Sequence, residues 1–118
     1  TMKSDHDAYF QISEIIREKV LYKTEEEIPH SVAVVLEHVE ETEKHLFVQA
    51  MIIVERSSQK GILIGKQASM IRSIRMAAQK ELKQRYGKNV TLELYVRVEN
   101  NWRNRNSKLT QLGYGDNE

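Results

Sequence analysis

Gly61-Ile62-Leu63-Ile64-Gly65-Lys66-Gln67-Ala68-Ser69-Met70-Ile71 is the stretch that decides how this chain folds. A short apolar run ends at Gly65. Lys66 and small or polar residues follow, and a periodic helical pattern then begins. This order brings the backbone N–H groups of a helix start and a cation to one point, which suits a phosphate. The rest of the chain reads as the platform for this turn.

On the C-terminal side, Ile71, Ile74, Ala78, Leu82 and Tyr86 form an apolar helical stripe. Arg72, Arg75, Gln79 and Lys83 are expected on a different face. Gly87 stops the helix, with Arg85 and Lys88 near its C-terminus, as the helix dipole favours. Val90, Leu92, Leu94, Val96 and Val98 then alternate with polar or aromatic residues, which predicts a strand. Residues 100–112 suggest a short last helix, and 113–118 a frayed end.

On the N-terminal side, Ser57-Ser58 is expected to cap a short helix over 59–64. Before it, Leu46, Val48, Ala50, Ile52 and Val54 share one face of a strand. Residues 31–39, with Val32, Val34 and Leu36 alternating, predict another strand, and polar residues 40–45 are long enough for a hairpin. Pro29, the single proline, pushes Ile28 to extended geometry. Phe10, Ile12, Ile15, Ile16, Lys19 and Val20 predict a first helix over 7–22. The two early strands are expected to be antiparallel neighbours. The last strand follows a long helical crossover and can lie parallel to its neighbour. The expected class is α+β: a two-layer α/β sandwich of order α-β-β-α-α-β, with a three-stranded mixed sheet and a short C-terminal tail helix.

The totals exclude several classes. The 118 residues suit one domain with a modest core. With 40% hydrophobic and 30% charged residues the composition is globular. The net charge of +1 hides a polarised chain: residues 25–43 hold seven acids and no Lys or Arg, whereas 66–88 hold seven bases and one acid, Glu81. There is no cysteine, hence no disulfide or thiolate chemistry, which fits a reducing cytoplasm. No apolar run approaches the roughly 18 residues of a membrane span, and no signal peptide is recognised. Thr1-Met2 reads as a remnant ahead of an internal start, so a fragment of a longer protein is expected.

The turn is not a triphosphate-binding loop. That pattern needs one more residue between its glycines and Ser or Thr after the lysine, and here Gln67 follows Lys66. Two readings remain open from spacing alone. In one, Gly65 lets a sugar-phosphate chain approach, Lys66 supplies charge, and Ile62 and Ile64 wall a groove for unstacked bases. In the other, the turn is a plain corner between helices. The basic run is either a solvated helix face or a continuation of the site. His6, His30, His38 and His45 lack metal-ligand spacing and read as surface or loop residues. No Ser/His/Asp arrangement or tuned carboxylate pair is suggested, so no catalytic residue is expected. Trp102 either stacks on a base or, as favoured, packs the tail onto the domain.

With these residues in hand, the chain resembles a KH domain of the second type, and more narrowly the C-terminal KH domain of the bacterial Era GTPase family. The segments that carry the resemblance are Arg17-Glu18-Lys19 with Glu27-Ile28-Pro29-His30-Ser31; Val54 through Lys66, which is highly specific; Leu92 through Val98 with Asn101-Trp102-Arg103; and Leu112-Gly113-Tyr114. It spans roughly 10–114.

The resemblance implies a lead-in segment and helix over 1–30, a KH core over 31–99 and a tail over 100–118. It implies that the parent is a GTPase whose KH domain binds the single-stranded 3′ end of small-subunit ribosomal RNA during ribosome assembly. No DNA is expected as a partner. The family implies a cytoplasmic protein, in part peripheral on the inner face of the membrane. GTP and Mg belong to a G domain that this chain lacks, so no cofactor and no enzyme activity are expected here. By motif position, Gly65, Lys66, Gln67 and Ala68 fall on the RNA clamp. Lys60, Gly61, Ile62 and Ile64 fall on the preceding helix and groove wall, and Ser69, Met70 and Arg72 on the following turn. Arg75 is added on charge.

One departure stands out. The family's clamp reads Gly-Lys-Gly-Gly, and here Gln67 and Ala68 replace its last two glycines. A methyl at a helix start costs little, because alanine is a good helix former. Where backbone must touch backbone, the same methyl holds RNA away. The first case leaves binding in place. The second leaves a degenerate fold that serves as a protein-interaction or regulatory module.

Overall fold

The computed structural model describes residues 6–100. The elements are α1 (His6–Lys23), β1 (Ala33–Glu41), β2 (His45–Val54), α2 (Ser57–Ile64), a 3₁₀ turn (Lys66–Ala68), α3 (Ser69–Tyr86) and β3 (Asn89–Val98). The expected α-β-β-α-α-β order holds. The expected tail helix lies outside the described residues.

The sheet is mixed, in the order β1-β2-β3. β1 pairs antiparallel with β2, and β3 pairs parallel with β2 in unbroken register from His45 opposite Asn89 to Val54 opposite Val98. The parallel pairing follows from the crossover through α2 and α3, which returns the chain to the same end of the sheet. The register in β1 shifts between Leu36 and His38, so Glu37 is an extra residue. The alternation read from 31 onward therefore changes phase at Glu37. β1 also starts later than expected, because the Val32 N–H turns back to the Pro29 carbonyl at 3.0 Å.

All three helices pack on one face. Ile12 and Ile16 of α1, Ala78 and Leu82 of α3, Leu46, Val48 and Ala50 of β2 and Leu92 of β3 form one buried cluster. Val20, Ile52, Val54, Leu63 and Ile74 join Ile28 and Val32 in a second, beside the turn. The five β2 residues expected to share a face all lie in these clusters. Each fully buried Leu or Ile contributes on the order of 2 kcal/mol through the apolar surface it removes from water.

Three local expectations change. Phe10 is 65% exposed and stands off the α1 stripe. Ser57 and Ser58 lie inside α2, and the helix start is satisfied instead by Gln59, whose Oε1 accepts from the N–H groups of Glu55 and Arg56 at 3.0 Å each. A glutamine one turn in can reach back to the donors that the cap leaves free. Gln79, expected on an outward face, accepts from the N–H of Leu92 at 2.9 Å. β3 is an edge strand, so half of its N–H groups point away from β2, and α3 supplies a partner for one of them.

Two further ties set the first helix against the sheet. Arg17 donates to the carbonyls of His30 and Val32, fixing the segment that enters β1. Buried Thr24 closes α1 by donating to the Val20 carbonyl at 2.8 Å.

Candidate nucleic-acid interface

The segment from α2 through the turn to α3 holds every residue expected at the site. Gly65 has φ 73° and ψ 175°. This combination is essentially confined to glycine. Space demands glycine as well, because a Cβ there would lie 2.7 Å from Met70 Cβ and 2.8 Å from Met70 N. Gly65 therefore packs directly on the first turn of α3. Gly61 contrasts with it: a Cβ there would meet nothing within 4 Å, and the residue sits in a helix. The fold does not require a glycine at 61, and its absent side chain leaves open room on the α2 surface.

Gln67 (φ 55°, ψ 34°) and Ala68 (φ 62°, ψ 24°) both adopt the left-handed conformation. This corrects the expectation that Ala68 starts a helix at little cost. Ala68 is the residue that caps α3, and its backbone is one that L side chains rarely take. The turn keeps a geometry suited to glycine at both substituted positions. Its hydrogen bonds explain how: Gly65 N donates to Gly61 O at 2.9 Å, Ala68 N to Gly65 O at 3.2 Å, and the Ser69 N–H to Lys66 O. The chain is held from both helices. α3 has no side-chain cap, so its first N–H donors remain for solvent or a ligand.

Charge follows the same geometry. Among the described residues Lys60, Lys66, Arg72 and Arg75 make no ion pair, nor do Lys80 and Lys83. The cations farther along α3 are engaged: Arg85 lies 4.0 Å from Glu81, and Lys88 bonds Glu41. Lys60, Lys66 and Arg72 are exposed and Arg75 is half-buried. The uncompensated positive charge thus starts at the turn. Ile62 and Met70 are half-buried against the second cluster beside Val96 and Val98 of β3, so an apolar margin runs from the turn toward the edge strand. Ile64 is half-buried, and Ser69 is exposed at the start of α3.

Reading the sequence missed Arg17, Gln59 and Gln79. Gln59 holds the start of the helix that leads into the turn, and Gln79 ties α3 to the margin strand. Their type and spacing carry no signal, because each acts on a backbone group distant from its own stripe. Among the described residues there is no cluster of three or more His, Cys, Asp or Glu that could hold a metal ion. No helix among them is long and apolar enough to cross a membrane.

Comparison with known proteins places this geometry. The KH domain family matches residues 27–103. The chain is a KH domain of the Era family. It is 34% identical to a tyrosine-to-alanine variant of Era from Aquifex aeolicus bound to GDP and AlF4−, covering 91% of this chain and 36% of that one, with a TM-score of 0.79. It is likewise 34% identical to Era in complex with MgGDPNP and nucleotides 1506–1542 of 16S ribosomal RNA, covering 93% of this chain and 37% of that one, with a TM-score of 0.81. The chain thus spans about a third of the length of these Era structures.

Proposed function

We propose that this chain binds single-stranded RNA, as the KH half of an Era-like GTPase that acts on the 3′ end of small-subunit ribosomal RNA during ribosome assembly. The observation that carries the reading is the turn. Gly65 is forced against Met70, the left-handed backbone of Gln67 and Ala68 is retained, and Lys60, Lys66, Arg72 and Arg75 stand around it without counter-charges. A phosphodiester fits such a corner: cations and free helix-start N–H groups position it, and the margin of Ile62 and Ile64 takes unstacked bases. The Era–16S RNA complex among the similar structures supports the same class of ligand. Gln67, Ala68, Ser69 and Met70 line the proposed clamp. Gly61 leaves room for the backbone of the ligand to come close to α2. The chemistry assigned to this chain is binding only. GTP and Mg would belong to a G domain of the parent, and a small ribosomal subunit, a cytoplasmic location and a peripheral membrane association are proposed on the family resemblance.

The test is fluorescence anisotropy with a short oligonucleotide copying the 3′ tail of small-subunit rRNA. Binding is expected to weaken with salt and to vanish in Gly65→Asp with Lys66→Ala. Absence of binding at low salt, or equal binding of a scrambled strand, overturns the reading. One observation favours a second reading: Gln67 and Ala68 place side chains in a turn shaped for glycine. If they exclude RNA and the domain is a protein-interaction module, Ala68→Gly raises RNA affinity sharply. Under the first reading that variant changes affinity little.

A further inference from the structure

The face of the sheet turned away from the helices holds a buried residue that no described helix covers. Ile53 of β2 is only 5% exposed, yet it belongs to neither apolar cluster, and its neighbours across the sheet are Ala33 and Arg97. In the next row Val35 and Tyr95 flank Met51 and are 42% and 48% exposed. Glu37, Glu93 and Glu99 share this face with a single cation, Arg97, which lies 3.9 Å from Glu37 and 3.8 Å from Glu99.

We propose that residues 101–118 fold back over this outer face and that Trp102 seats beside Ile53 and Tyr95. The sheet delivers the chain to that spot. The Glu99 N–H donates to the Val54 carbonyl at 2.8 Å, so β3 leaves the sheet next to Ile53, and Trp102 follows Val98 by four residues. Leu109 and Leu112 recur at helical spacing after it. A helix of about ten residues is roughly 15 Å long, enough to cross three strands about 5 Å apart. Arg103, Arg105 and Lys108 bring positive charge to the face that is short of it. The docking leaves the Gly65 turn untouched, since the turn and all three helices lie on the other side. It therefore stands apart from the RNA reading.

Trp102 is the only tryptophan, so its emission reads the tail alone. In the folded chain the emission is expected to be blue-shifted and shielded from acrylamide relative to the denatured chain. Val35→Glu with Tyr95→Glu is expected to return it to the denatured value, with far-UV circular dichroism unchanged. Charge reversal in the tail (Arg103→Glu, Arg105→Glu, Lys108→Glu) removes no residue of the folded core. It is expected to give the same release, and it decides the matter should the sheet variant fail to fold. Emission already at the denatured value in the unaltered chain overturns the proposal. So does a blue shift that survives both sets of changes, which places the tail elsewhere. A shift lost on dilution assigns the face to a second copy and overturns the intramolecular docking.

Discussion

Gln67 and Ala68 hold left-handed backbone without the glycine that this conformation favours, and the turn tolerates the cost because both flanking helices hold its ends. The strain is roughly 1–2 kcal/mol per residue, of which a glycine returns about 0.5–1 kcal/mol as extra entropy of the unfolded chain. Gln67→Gly and Ala68→Gly are each expected to stabilise the domain by about 0.5–1 kcal/mol, measured by urea denaturation. The two glycines that remain behave oppositely. Gly65→Ala drives a Cβ into Met70 and is expected to destabilise by about 2–3 kcal/mol. Gly61→Ala meets open space within a helix and is expected to stabilise by up to about 1 kcal/mol while weakening RNA binding. A Gly61→Ala variant that loses stability would show that the fold, rather than a ligand, requires this glycine.

At the scale of elements, α1 and α3 are joined above the core by Lys19 and Glu81. The hydrogen bond from Glu81 is the main cause that lifts the Lys19 ammonium above its usual value; burial pulls the other way, and Glu18 adds to the rise. A raised lysine stabilises the fold fully below its unfolded value of about 10.4, and the contribution is lost as pH rises through the folded value. The melting temperature of the unaltered chain should therefore fall more steeply above about pH 10.4 than that of Lys19→Met. Near neutral pH that substitution is expected to cost no more than about 1 kcal/mol, because the pair is partly solvated. An identical alkaline slope in the two proteins would remove the ion pair from the account. The stripes that built these elements were legible: Ile74, Ala78 and Leu82 recur at helical period and all are buried. Gln79 was not, since it lies one residue past Ala78 and its partner is a backbone N–H on another element. Glu37 was not legible either, since no residue type announces a bulge.

For the whole molecule, a net charge of +1 says nothing, and the placement of ion pairs says what the total conceals. Lys19, Arg85, Lys88 and Arg97 are spent on structure, whereas the four cations at the turn are not. Four phosphate contacts on a single strand give a slope of log affinity against log salt of about −3. Lys60→Ala is expected to shallow that slope by about 0.7, and Arg85→Ala to leave it unchanged. Equal effects of the two variants in the anisotropy titration would mean that the basic helix acts as a diffuse field rather than through the site.

The sequence by itself determined the elements, their order and the mixed sheet, because the periods of apolar residues and the length of the crossover are local facts that leave few ways to bury one core. It also located the turn, since Gly65-Lys66 sits between two helical patterns. Only the tertiary structure decided which cations are unpaired, that Ala68 is left-handed rather than helical, and that Ile53 is buried on the outer face. Each of these depends on groups brought together from distant parts of the chain, and spacing along one element carries no record of what lies across from it.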